Sequence, residues 1–255
     1  MERALAIETS RDRLGLCLWE GGFPGAIAPR AVFFREARNR HSDWIIPRID
    51  VLLSRLGWSA KSLSAVVVDV GPGSFTGVRI GLTVAKTLGH SLGIPLIGIP
   101  SLDVLAAGFK KLSPGDVLAC LTPAIPGEVY VGLYRSEIMR PGLSSVERKT
   151  NLPHTGFESW PWFPAQNGLI LRRLSPLAWM DGRKAERLIR SFEKKGNRLV
   201  RLGNEPVLHP VVLAGLGDWA WRHGGKRDSG EVKPLYLQPS WAERRFEAPR
   251  VEARV

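Results

Sequence analysis

The sequence predicts a two-lobed α/β protein, and three observations carry that prediction. Short apolar runs at Arg3–Thr9, Leu14–Glu20 and Ala31–Glu36 come before any helical pattern. A continuous β-branched run, Leu63–Val70, lies between two stretches of helical spacing. Beyond residue 101 strand and helix patterns continue into a second set. Strands first, then strands alternating with helices, make mixed sheets flanked by helices. A chain of 255 residues holds one large domain or two smaller ones, and either buries a real core. The expected division is 1–101 and 102–255.

The elements follow in order. The polar turn Ser10-Arg11-Asp12-Arg13 joins the first two runs as a hairpin. Ile45, Ile46, Ile49, Leu52, Leu53 and Leu56 recur at helical spacing, with Ser42 or Asp43 as the cap and Gly57 as the stop. Leu63–Val70 is apolar throughout, as a strand buried on both faces must be. A glycine-rich turn, a helix over about 77–92 and a strand at Pro95–Ile99 come next. A helix from Ser101 to Gly108 leads to second-lobe strands at Val117–Leu121, Glu128–Arg135 and Leu143–Lys149. Asn151–Gly168, with its Trp and Pro residues, reads as an irregular loop. Lys184–Lys195 and Pro210–Trp221 are the remaining helices, and the charged tail from Ser240 is expected to fray.

Composition narrows the class. Cys17 and Cys120 each sit in an apolar run, so two buried thiols are favoured over a disulfide. Met1-Glu2-Arg3 leads straight into a strand, without the pattern of a signal peptide. The longest apolar stretch, Val78–Pro100, is interrupted by Arg79, Lys86, His90 and Pro95, which excludes a membrane span there. The cytoplasm is the expected compartment. Thirty-six Lys and Arg against 24 Asp and Glu give a net charge of +12, a balance that favours anionic partners. Ten of those cations fall in the segment 172–201, opposed by Asp181, Glu186 and Glu193. Within it Arg183, Lys184, Arg187, Arg190 and Lys194 are candidate tRNA contacts. A solvated helix face is the competing reading.

The most informative stretch is Asp69-Val70-Gly71-Pro72-Gly73-Ser74-Phe75-Thr76-Gly77-Val78-Arg79-Ile80-Gly81, which joins the buried strand to a helix. Glycines let the chain turn tightly, and Ser74 or Thr76 suits a helix cap. No Gly-Lys-Ser/Thr ending makes it a P-loop, and glycines at 71, 73 and 77 miss the dinucleotide fingerprint by one residue. A structural turn is favoured. An anion or nucleotide site built from Glu8, Thr9, Ser10, Asp69, Gly71, Gly73 and Ser74 is the alternative, because free N–H groups at a helix start suit phosphate. Gly73, Gly77, Gly81, Ala85, Gly89 and Gly93 repeat every four residues, so one helix face is nearly free of side chains. Each glycine weakens a helix by about 1 kcal/mol relative to alanine, which implies close approach of another backbone. That backbone belongs either to the chain's own sheet or to another subunit.

No catalytic residue stands out. The five histidines lack the spacing of a shared helical metal site, the cysteines are far apart, and there is no Gly-x-Ser-x-Gly elbow. Glu8 and Asp69 lie near the ends of parallel-type strands, where α/β sites form. They could hold a metal or orient a phosphate, or Glu8 could simply begin a turn.

The run Gly71–Gly81 resembles the signature of the TsaB (YeaZ) family. Ala6-Ile7-Glu8-Thr9-Ser10 resembles the family's opening strand and turn. His41-Ser42-Asp43 followed by Ile46-Pro47 resembles its His-Ser-x-x-Leu-x-Pro stretch. Ile94–Leu102, Gly127-Glu128-Val129-Tyr130 and Leu235-Tyr236-Leu237 also fall in the expected order. The match is specific over 1–135 and thin from there to about 230. The sequence departs from the family pattern at Glu8 (usually Asp), at Asp69 (usually Gly) and at Pro123-Ala124-Ile125-Pro126, where an Asp-Ala-Arg is frequent.

The resemblance implies an actin-like ATPase fold of the ASKHA, ribonuclease H-like kind. It implies a non-catalytic partner in making N6-threonylcarbamoyladenosine (t6A) in tRNA, with no catalytic residue, metal or cofactor of its own. The catalytic work would belong to a homologous TsaD subunit, with a TsaE-like ATPase and the complex's ATP and Mg. It further implies partner or homodimer contacts through the glycine-striped helix and the helix before it, at Gly73, Gly77, Gly81, Ala85, Gly89, Ile45, Ile49 and Leu52. The alternatives are a stand-alone ATP-binding or peptidase-like enzyme of the same fold, and a tRNA-binding module.

Overall fold

The computed structural model describes residues 3–21, 27–138, 162–165, 169–193, 197–202, 208–224, 228 and 230–238. The first sheet has the order β3-β2-β1-β4-β5, with β1 at Arg3–Glu8, β2 at Arg13–Glu20, β3 at Ala28–Glu36, β4 at Ala65–Asp69 and β5 at Leu96–Ile99. β1 and β2 form the expected hairpin, and β1, β4 and β5 run parallel. The parallel register brings the C-terminal ends of β1 and β4 side by side.

Period-two alternation assigns the two faces. Leu5, Ile7, Val66 and Val68 point to one side, where they meet α1 (His41–Arg55) and α2 (Phe75–Leu92). Ala4, Ala6, Ala65 and Val67 point to the other, toward α3 (Ser101–Gly108) and α5 (Pro210–Arg222). Small residues on that face let α5 come close: a Cβ on Gly217 would overlap the Val67 side chain. α1 starts earlier than the pattern suggested. Arg40 stands at its cap position without a side-chain cap bond, and Ser42 and Asp43 lie inside the first turn.

The second sheet has the order β11-β6-β7-β9-β8, with β10 pairing on β7. Its strands are β6 (Val117–Pro123), β7 (Glu128–Ile138), β8 (Trp162–Pro164), β9 (Leu169–Arg173), β10 (Ala178–Asp181) and β11 (Leu199–Leu202). One face carries α4 (Gly182–Glu193) over Ala119, Val131 and Leu133; the other shares a core with α3 and α5. The expected strand at Leu143–Lys149 and most of the loop Asn151–Gly168 lie outside the described residues, as does the tail from Ser240. α5 and residues 230–238, which the division at 101/102 places in the second lobe, lie against the first sheet. Leu235 N–H donates to the Val70 carbonyl at 2.8 Å.

A buried ion pair joins the layers. Arg173 of β9 donates through Nε to Asp103 Oδ1 of α3 at 3.0 Å, and Tyr134 of β7 donates to the same oxygen at 2.9 Å. Both cysteines are fully buried free thiols. Among the described residues, no helix is long and apolar enough to cross a membrane.

Candidate functional site

Glu8 and Asp69 meet at the adjacent ends of β1 and β4, both fully buried. Glu8 Oε1 accepts from Ser10 N–H at 2.7 Å and from Ser10 Oγ at 2.8 Å. Asp69 Oδ1 accepts from Gly71 N–H at 2.7 Å and from Ser101 Oγ at 2.6 Å. Ser10 Oγ also lies 3.2 Å from Asp69 Oδ2. A hydroxyl has one proton to give, so Ser10 cannot donate to both carboxylates at once. A proton on the pair resolves the conflict. Burial, reinforced by the charge of Asp69, pushes Glu8 up to about 8, against the bonds from Ser10 and the attraction of Arg11. Burial raises Asp69 as well, against its bonds from Ser101, Gly71 and Ser10. Buried side by side, the two carboxyls hold a proton more readily than free carboxylates do. Its Oε2 has no hydrogen-bond partner among the described residues.

The glycine loop closes over this pair. Ser74 N–H donates to the Ser10 carbonyl at 2.7 Å, and Ser74 Oγ caps α2 by accepting from Gly77 N–H at 3.1 Å. Thr9 Oγ1 donates to the Gly77 carbonyl at 2.7 Å. The amides of Gly71, Ser74 and Gly77 are thus bonded within the chain, which favours the structural turn over the anion site.

The glycine stripe faces inward. A Cβ on Gly73 would overlap the Ser10 carbonyl, one on Gly77 the Thr9 carbonyl, one on Gly81 the Thr9 hydroxyl, and one on Gly89 the Leu96 side chain. The close approach is to the chain's own β1 turn and β5. Ala85, Ile45, Ile49 and Leu52 are likewise buried in the core between α1, α2 and the sheet. Gly73, Gly77, Gly81, Ala85, Gly89, Ile45, Ile49 and Leu52 therefore hold the two helices on the sheet, and a subunit contact there would use the opposite faces. Those faces present Ile46 (53% exposed) and Phe75 (51% exposed). The Arg79 guanidinium stacks 3.7 Å over the Phe75 ring and donates to Tyr236 Oη at 2.9 Å, pinning the segment 230–238 to α2.

Between the lobes lies a cleft of about 550 Å³, lined by Ser10, Arg11, Gly73, Ser74, Phe75 and Tyr130 among others. Of the expected anion-site residues, Ser10, Gly73 and Ser74 reach its wall, while Glu8 and Asp69 are sealed beneath it. Among the described residues, no three His, Cys, Asp or Glu side chains are grouped to hold a metal. On the far side, Arg183, Lys184, Arg187 and Arg190 all lie exposed on α4; Lys194 falls outside the described residues.

A family model described as "TsaD: tRNA N6-adenosine threonylcarbamoyltransferase" matches residues 29–158, half of the chain. The chain is 29% identical over 188 residues to the Escherichia coli tRNA threonylcarbamoyladenosine biosynthesis protein TsaB, covering 67% of this chain and 78% of that protein. It is 37% identical over 131 residues to the Bacillus subtilis protein of the same name, covering 51% of this chain and 54% of that one. The chain belongs to the TsaD family, in its TsaB (YeaZ) branch. The solved structure of YeaZ from Pseudomonas aeruginosa superposes with a TM-score of 0.65 at 21% identity, over 93% of this chain and all of that one. That likeness shows the fold, an α/β fold with two mixed sheets flanked by helices.

The match of the TsaD family model runs from β3 through the glycine loop to the sheet of the second lobe, and so contains Asp69 and Ser101. Glu8 and Asp69 were legible in the sequence as residues near the ends of parallel-type strands; that those ends are neighbours, and that Ser101 and Arg11 join them, was not. Ser101 follows β5 directly at the start of α3, and a hydroxyl at a strand-to-helix junction beside a parallel strand end was the available signal. Arg11, half-buried at the hairpin turn, is the positive charge that faces both carboxylates.

Proposed function

We propose that this chain is a non-catalytic partner subunit in the formation of t6A in tRNA, binding a TsaD-type catalytic subunit. Family membership, with relatives named for t6A biosynthesis, supports the pathway. The observation that carries the non-catalytic reading is the enclosure of Glu8 and Asp69. At the strand ends where α/β sites form, both carboxylates are fully buried and turned onto the chain's own serines, and burial raises both. A group sealed in this way neither holds a metal nor accepts a substrate proton. The ATP and Mg of the reaction then belong to the TsaD-type subunit and a TsaE-like ATPase, and this chain needs no cofactor of its own. The working compartment is the cytoplasm, where tRNA is modified.

The outer faces of α1 and α2 are the proposed contact, with the TsaD-type subunit and, in the free protein, with a second copy. Co-purification with TsaD from the same organism tests this. Ile46→Asp combined with Thr83→Arg, both on exposed positions, should abolish the complex without lowering the melting temperature. A complex retained by that variant would put the contact elsewhere.

A further inference from the structure

The first two turns of α4 carry a surplus of positive charge. Ala185 and Ile189 are its buried residues, held against β6 and β7. Arg183 and Lys184 stand in its first turn, at the positive end of the helix dipole, where cations are unfavourable. Arg183 and Arg187 are spaced i, i+4, a like-charge pair that also opposes the helix. The nearby acids are engaged elsewhere. Glu186 accepts from Arg201 at 2.9 Å and from Arg190 at 3.3 Å, and Glu193 accepts from Arg201 at 3.3 Å. Asp181 Oδ1 caps the helix through the N–H groups of Arg183 and Lys184. Among the described residues no acid pairs with the side chains of Arg183, Lys184 or Arg187. Gly182, Arg183, Glu186, Arg187 and Arg190 line an open groove of about 500 Å³ along the helix, with Glu186 engaged by Arg190 and Arg201; Lys184 is exposed but outside that lining. Beyond the Asp181 cap, three cations without an acid partner among the described residues mark a surface suited to something outside the chain.

We infer that this groove docks the phosphate backbone of an RNA, with Arg183 and Arg187 as the principal contacts. Resting on the function proposed above, that RNA is the substrate tRNA. Guanidinia along a groove suit successive phosphates, and a polyanion would answer the charges of Arg183 and Arg187, which pair with no acid among the described residues. An anionic membrane is the weaker fit. A helix that enters an interface needs an outward apolar face, whereas Leu188 and Phe192 pack into the same cluster as Ala185 and Ile189. The helix N–H groups themselves are not the site, since Asp181 already holds two of them.

The test is fluorescence anisotropy of labelled tRNA transcript with the full chain, wild type against Arg183→Glu/Arg187→Glu, over a series of salt concentrations. The variant should lose at least about tenfold in affinity, and log Kd should depend on log salt with a slope shallower by about 2. Its melting temperature should not fall, because Glu near the start of α4 suits the dipole. Arg183→Lys/Arg187→Lys should retain most of the binding. Equal affinity of the Glu variant and the wild type, or no binding by the wild type, overturns the inference. So does binding to phosphatidylglycerol vesicles through these residues with none to tRNA. If the groove binds tRNA but t6A forms equally well without the chain, the proposed function fails and the groove stands. If t6A needs the chain while the variant binds tRNA normally, the groove fails and the function stands.

Discussion

α2 and α4 both carry a pattern at helical spacing that marks them as interfaces, and the fold uses the two in opposite ways. The stripe on α2 is glycine, and it is filled by the carbonyls of Thr9 and Ser10 and by Leu96. The stripe on α4 is cationic, and the acids around it are bound to other groups. A stripe without side chains is read by backbone at close range, and here that backbone is the chain's own. A stripe of long charged side chains is read at a distance, and here the fold leaves it open. Periodicity thus marks a distinct helix face in either case, while what lies opposite decides how the fold uses it.

The contrast breaks most directly at Gly77. An added methyl group would strike the Thr9 carbonyl, a backbone atom fixed by β1. Gly77→Ala should destabilise the protein by about 3 kcal/mol in urea unfolding despite the better helix propensity of alanine. A neutral or stabilising result would mean that α2 does not sit as close to β1 as described.

Next in size is the pH dependence of the ground on which α2 rests. Glu8 is raised from its ordinary value to about 8, so the folded state binds a proton that the unfolded chain has released. Stability is full below the unfolded value, near pH 4.5, and declines as pH rises toward 8. The raised Asp69 acts with the same sign. Glu8→Gln mimics the neutral acid and should remove about 2 kcal/mol of that decline between pH 5 and 8. Denaturation curves at each pH would show it, and an unchanged decline would assign the titration to another group.

Ser74→Ala removes the cap on Gly77 N–H and should cost about 1 kcal/mol, with the loss seen as fraying at the start of α2 by hydrogen exchange. Smallest is the effect on α4. Arg183→Glu should raise stability by about 0.5 kcal/mol, the opposite sign to any substitution in the glycine stripe. A clear loss would show that Arg183 has a structural partner.

The first lobe was largely legible because its constraints are local. Val66 to Val68 is apolar on both faces, as a central strand requires, and Ile45, Ile49 and Leu52 trace one helix face. The cap of α1 was misplaced, since it begins at His41 without the side-chain bond that Ser42 or Asp43 suggested. β9 and β11 were missed for a different reason. Arg172, Arg173 and Arg201 make those segments look like charged loop. Their charges are answered by Glu137, Asp103 and the acids of α4, all distant in sequence or on another element. The carboxylate pair was legible as two strand ends. Its closure by Ser10 and Ser101 was not, because it depends on β5 returning beside β4.

Reconstitution of tRNA threonylcarbamoylation tests the central claim most directly. TsaD, a TsaE-type ATPase, tRNA and a threonylcarbamoyl-adenylate source would be assayed with and without this chain, and with its Glu8→Gln variant. t6A should form only when the chain is present, and Glu8→Gln, which leaves no ionisable group at that position, should support it as well as the wild type. Formation of t6A without the chain would contradict the partner role, and loss of activity in Glu8→Gln would contradict the non-catalytic one.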